Sequence, residues 1–199
     1  MDKSTMTRRR MITLAAAAAA AARALPARAA SAARPRLLDR ALAALDRHGD
    51  IFTHRDRIGI ADFASPSGTA RFHIVDIASG AAQSLLVAHG SGSDPDHSGF
   101  LQRFSNRSGS HATSSGAYLT TTYYRGKYGR SLRLAGLDDS NSNAEPRAIV
   151  VHGAWYVDSG MARDQGRIGR SQGCFAFEQS EIAGVLDRLG PGRLIYADR

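Results

Sequence analysis

The 199-residue chain has a single cysteine, Cys174, which therefore has no disulfide partner within the chain. It also lacks an apolar run long enough for a bilayer-spanning helix, which needs ~20 residues. The run from Met11 to Ala22 is about a dozen residues. There is no internal repeat, no zinc-finger spacing and no His-Glu-x-x-His helix, so repeat architectures and the common zinc-site patterns have no support. A block of basic residues is missing as well, despite a formal charge of +8. Residues 1–29 hold Lys3, Arg8, Arg9, Arg10, Arg23 and Arg28 against Asp2, a surplus of five that leaves +3 for the rest. With scattered arginines and no RNP-type motif, a nucleic-acid partner is not expected.

What the first 29 residues do contain is ordered. Arg8-Arg9-Arg10 precede Met11-Ile12, the apolar run follows, and Ala27-Arg28-Ala29 supplies a small-x-small exit. A basic head, an apolar middle and such an exit describe a secretory signal. The adjacent arginines resemble a twin-arginine signal, which exports folded proteins. The alternative is an alanine-rich helix that stays attached. The expectation is cleavage near Ala29, a periplasmic or extracellular location, and no stable membrane insertion afterwards. No cysteine lies near that point to carry a lipid.

Export makes the lone thiol unusual, since cysteines outside the cytoplasm mostly pair. It is an intermolecular bridge, an inert buried residue or a nucleophile.

The length suits one domain with a sizeable core. Leu37, Leu38, Ala41, Leu42 and Leu45 recur at helical spacing and predict an amphipathic helix over 36–47, with arginines and aspartates mostly on its other side. From Ile58 onward the pattern is β. Runs 58–63 and 71–77 flank the turn cluster Ser65-Pro66-Ser67-Gly68 and predict a hairpin, and further strands are predicted at 84–88, 117–123, 131–134, 148–151 and 193–196. One more helix is predicted at 181–189, with Ser180 as N-cap and Gly190-Pro191-Gly192 ending it. The fold class is mainly β with a few helices, a β-sandwich or open barrel. The polar stretch 90–115 reads as a binding loop or lid, with disorder as the alternative.

A cysteine nucleophile needs a base and an oxyanion site. His152 closes the apolar run 148–151 and precedes Gly153, which places an imidazole where a strand opens into a loop. Ser171-Gln172-Gly173-Cys174 supplies a turn whose N–H groups can face inward. A thiol beside imidazolium would be partly ionised near neutral pH. On spacing alone, a lone cysteine in a glycine turn is more often a buried, inert residue than a nucleophile.

His152-Gly153, Gly166, Gly169 and Ser171-x-Gly173-Cys174 together resemble the signature of the YkuD-like L,D-transpeptidases of peptidoglycan synthesis. His89-Gly90, Phe104-Ser105-Asn106, Ser114-Ser115-Gly116-x-Tyr118 and Leu132-x-Leu134-x-Gly136-Leu137 occur in the order of the branch known as murein L,D-transpeptidase catalytic domain proteins. The likeness spans most of 50–197. It implies a catalytic domain at 51–199, which follows the signal read at 1–29 and a helical segment at 30–50. It also implies Cys174 as nucleophile, His152 as base, and N–H groups of Gln172, Gly173 and Cys174 around the oxyanion, with Ser171 fixing the turn. His89, Tyr118, Gly153, Trp155 and Arg170 would serve the substrate, although a backbone-bonded His89 and a core Tyr118 are the plainer readings. The implied substrates are peptidoglycan stem peptides, a tetrapeptide donor and an amine acceptor, with no cofactor. The alternatives are an L,D-carboxypeptidase, a non-catalytic wall-binding module, a general cysteine peptidase, and a zinc hydrolase using His89, Asp94, Asp96, His97, His111 and His152. The commoner branch carries Arg two residues after the cysteine, where this chain has Ala176. Arg170 or Arg167 would then have to supply the cation.

Overall fold

The structure is a computed structural model that describes residues 35–199; the leader read at 1–29 lies outside the described residues. In chain order the elements are α1 (Leu38–His48), β1 (Arg57–Asp62), β2 (Phe72–Asp76), β3 (Ala82–Leu85), β4 (Gly116–Gly126), β5 (Gly129–Gly136), β6 (Val150–Gly153), α2 (Ser159–Gln165), β7 (Phe175–Phe177), α3 (Ile182–Arg188) and β8 (Leu194–Asp198). The strands form one eight-stranded sheet in the order β3-β2-β1-β8-β4-β5-β6-β7. Only β1–β8 and β6–β7 are parallel. The sheet curls until the chain just past β3 meets β7, where Ala88 N–H donates to Ala176 O at 2.9 Å. Of the two architectures expected, this is the open barrel.

Alternation along the strands sorts residues between two faces. Phe72, Leu132, Leu134, Val151, Phe175, Phe177 and Ile195 point inward to the main core, which Val185 and Leu186 of α3 and Leu189 just after it close. On the outer face, Leu37, Ala41, Ala44 and Leu45 from α1 and the residue before it pack on Ile58, Ile60, Leu194 and Tyr196. The charged side of α1 is not idle. Arg36 and Arg40 pair with Asp62 and Asp198 at 2.7 and 2.8 Å, and Arg47 reaches Asp138 at 3.1 Å. No helix among the described residues is long and apolar enough to cross a membrane.

A parallel β6–β7 pair requires a crossover, and the chain spends residues 154–174 on it. That crossover contains α2, capped by Asp158, whose carboxylate accepts from Met161 N–H at 2.7 Å, and ended by Gly166 at φ 67°. Neither α2 nor β7 is among the predicted elements. α3 begins after Glu181 with no side-chain cap, so the expected Ser180 cap is replaced by backbone bonds from Glu181 and Ile182 to Glu178 O.

Candidate active site

The β6–β7 register pairs Val151 with Phe175 and His152 with Ala176. Because Val151, Phe175 and Phe177 face the core, Val150, His152, Cys174 and Ala176 share the opposite face. Cys174, just before β7, and His152, near the end of β6, therefore open on the same side. Both line a groove of about 810 Å³ together with Lys127, Tyr128, Arg147 and Trp155.

The imidazole is held on two sides. Its Nδ1 lies 2.9 Å from Gly153 O, an acceptor, so Nδ1 carries the proton and Nε2 is left with its lone pair. Its ring stacks on Tyr128, with centroids 4.2 Å apart and planes 17° from parallel. Burial, helped by the nearby Lys127 ammonium, holds His152 below its ordinary value against the opposing effect of the Gly153 bond. The thiol shifts the other way. Burial pushes Cys174 up, and a Val150 backbone hydrogen bond and the Arg147 and Lys127 charges only partly offset this. Its Sγ–H donates to Ala148 O at 3.6 Å, not to the imidazole. Both shifts run against the expected thiolate–imidazolium pair, because burial penalises each charged form.

The turn before the thiol is built by Ser171. Its hydroxyl donates to Cys174 O at 2.7 Å and accepts Gly173 N–H at 3.1 Å. Gly173 is accordingly not a free oxyanion donor. Gln172 and Cys174 both line the groove, and among the described residues neither backbone N–H has a turn or loop hydrogen-bond partner. Gly173 adopts φ 112°, and a Cβ there would lie 2.7 Å from Ala112 O and 2.8 Å from Ile149 Cδ1, so only glycine fits.

The other expected substrate residues divide. Trp155 lines the groove and is 77% exposed. Arg170 also lines it, but its Nη1 is tied to Asp94 O and Pro95 O. Tyr118 does not reach the groove: it is fully buried in the core, its hydroxyl donating to Ser114 O at 2.8 Å. Gly153 faces away as well, beneath Gln179 and Ile182, and contributes its carbonyl to His152. His89 is buried, and its ring accepts from Arg71 Nη2 at 2.7 Å through Nδ1 and donates to Asp94 at 3.3 Å through Nε2. Its backbone nevertheless serves the site, since Ser171 N–H donates to His89 O at 2.9 Å and Ser91 N–H to Ser171 O at 2.8 Å. Burial and the Arg71 charge bring His89 down to about 4. Among the described residues no three His, Cys, Asp or Glu side chains gather as a metal site.

Four participants were absent from the expected set. Lys127 and Tyr128 form the tip of the β4–β5 hairpin, and Gly126-Lys127-Tyr128-Gly129 in sequence is a turn signal that could have located them. Ala148, whose carbonyl holds the thiol, sits at φ 53°, a strained value for a residue with a Cβ. Arg147 supplies the cation beside the thiol that Arg170 and Arg167 were expected to give. It binds Ser105 O at 2.8 Å, Ser114 Oγ at 2.7 Å, Ser110 Oγ at 3.3 Å, and Ala112 O. The stretch 90–115 is consequently a pinned wall of the groove, with Ser108, Gly109 and His111 on its inner side.

A family model described as L,D-transpeptidase catalytic domain matches residues 29–197. No curated protein matches the chain. Among solved structures, an L,D-transpeptidase from Mycobacterium smegmatis is similar at 14% identity and a TM-score of 0.43, covering 72% of this chain and 59% of that one. L,D-transpeptidase 3 from Mycobacterium tuberculosis is similar at 11% identity and a TM-score of 0.45, covering 72% and 61%. A helical cell shape determining protein from Campylobacter jejuni follows at 12% identity and 0.45, covering 78% and 53%. The chain thus spans between half and two thirds of the length of these solved chains.

Proposed function

The chain belongs to the L,D-transpeptidase catalytic domain family, and from that premise we propose that it is an exported cysteine transpeptidase acting on peptidoglycan stem peptides. The observation that carries this reading is the placement of His152 and Cys174 on one face of adjacent parallel strands, with the imidazole tautomer fixed by Gly153 O. Nε2 is then a base aimed from a buried, stacked ring into the groove that the thiol enters.

The cycle starts from two neutral groups. Sγ leaves Ala148 O by rotation about its Cα–Cβ bond and attacks the carbonyl at the L-centre of diaminopimelate in a tetrapeptide stem. The thiol proton passes to Nε2 as the S–C bond forms, so the nucleophile becomes an anion only as it reacts. With Gly173 N–H committed to Ser171, the N–H groups of Gln172 and Cys174 are the donors that remain for the oxyanion. Collapse breaks the C–N bond to the terminal D-Ala, whose amine takes the proton back from Nε2. An amine of a second stem then attacks the thioester, loses its proton to Nε2, and releases Sγ, which regains that proton. The acyl energy stays in the thioester, so no nucleotide is consumed. The basic head, apolar middle and Ala27-Arg28-Ala29 exit support export to the periplasm or beyond.

The test is incubation of the purified protein with disaccharide-tetrapeptide and mass spectrometry of the products. A crosslinked dimer short of one D-Ala supports transpeptidation, and its loss in Cys174→Ala supports the thiol. A tripeptide alone would make the protein a carboxypeptidase. Unchanged substrate would leave a wall-binding module.

A further inference from the structure

The groove around the thiol carries charge of one sign. Lys127, Arg147 and Arg170 line it with His111 and His152, and none of its lining residues is Asp or Glu. Two of the three cations are committed: the Arg147 guanidinium to the 105–114 wall, and Arg170 Nη1 to Asp94 O and Pro95 O. Lys127 differs. Its ammonium lies 4.8 Å over the Tyr128 ring and, among the described residues, has neither a hydrogen bond nor a carboxylate partner. It stands at the exposed tip of a two-residue turn, on the aromatic that stacks against His152.

The tip faces the groove because of a backbone irregularity. β4 pairs Thr120 with Leu134 and Tyr123 with Leu132, so one extra residue is inserted in β4 between them. A one-residue bulge exchanges the faces of everything beyond it. Tyr124 and Gly126 thereby join the face that holds Val150 and Cys174. A bulge that re-aims a strand beside a nucleophile is a recurring device at functional sites.

Resting on the transpeptidase reading, we propose that Lys127 is a specificity residue that binds a free carboxylate of the donor stem, so that stems bearing free carboxylates are preferred over amidated ones. A cation without a counter-ion, in a groove without acids, complements an anionic ligand and repels a cationic one. The ammonium's seat over Tyr128 also links the charge of the bound stem to the aromatic that holds the base.

The experiment measures binding apart from turnover. Cys174→Ala protein is titrated calorimetrically with a tetrapeptide stem whose carboxylates are free and with stems amidated one carboxylate at a time. Amidation at one position is expected to weaken binding roughly five- to tenfold. Adding Lys127→Met should erase that difference, and Lys127→Glu should invert it. A preference that is absent, or that survives Lys127→Met, overturns the proposal. If the wild-type protein turns over neither stem, the enzymatic reading fails on its own, while the titration still decides the charge reading.

Discussion

At the scale of single residues, the site depends on two pKa shifts that run in opposite senses to those of an ion-pair thiolate. Cys174 is raised and His152 lowered, chiefly by burial in both cases. The lowered imidazole stays neutral down to below the ordinary histidine value of about 6.5, and the raised thiol stays protonated past the ordinary value of about 8.5. The acid limb of the rate should therefore fall below pH 6.5. Thiolate absorbance near 240 nm should be absent at pH 7 and emerge only above the usual thiol range. A thiolate signal at pH 6 would contradict the neutral pair. Tyr128 makes a second residue-scale case. Tyr128→Phe keeps the ring on His152 and should retain most activity, whereas Tyr128→Ala frees the imidazole and should lower kcat roughly tenfold, with a smaller effect on KM. Equal kcat values for the two variants would remove the clamp from the account.

Elements show which parts of this arrangement the sequence could reveal. The helix α1 was legible because Leu37, Leu38, Ala41, Leu42 and Leu45 recur at helical spacing; Leu37, Ala41 and Leu45 are buried on the sheet, and Leu38 and Leu42 pack partly buried beside them. The strands β1, β2, β4, β6 and β8 were legible from their β-branched and aromatic runs, and β5 from the polar–apolar alternation of Ser131, Leu132, Arg133 and Leu134. In contrast, α2 has no buried residue, so no apolar stripe announces it, and β7 is only three residues long. The bulge in β4 lies within a run of three threonines and two tyrosines that carries no mark of where the register slips. His152 and Cys174 could be named from the sequence, but not the face they share, since that follows from β6–β7 pairing. Arg147 was hidden for a similar reason: its partners lie more than thirty residues upstream. Arg147→Met should free the 105–114 wall. Hydrogen exchange across 106–111 should accelerate and denaturant stability should fall by about 2–4 kcal/mol. Unchanged exchange there would mean that the wall is held by other contacts.

At the scale of the whole molecule, the buried group Arg71–His89–Asp94 ties the edge of the sheet to the loop that carries Arg170 and Ser171. His89 is satisfied only as the Nε2–H tautomer, because Arg71 donates to Nδ1 and Asp94 accepts from Nε2. A proton on Nδ1 would meet the guanidinium, which agrees with a folded value of about 4. The unfolded chain then binds the extra proton first. The contribution of His89 is complete above about pH 6.5 and is lost as the pH falls towards 4, at a slope of about 1.4 kcal/mol per pH unit. Urea unfolding at pH 7 and pH 5 should show this loss, and His89→Gln should flatten the slope while lowering stability at pH 7. A slope that persists in the variant would assign it to other groups.

The most direct measurement of the central claim is the intact mass of the protein, quenched in acid shortly after mixing with a tetrapeptide stem. Wild-type protein should gain the mass of the tripeptidyl acyl group, located on Cys174 and removed by hydroxylamine, and His152→Gln should gain it far more slowly. An unmodified protein mass during release of D-Ala would contradict covalent catalysis by this thiol.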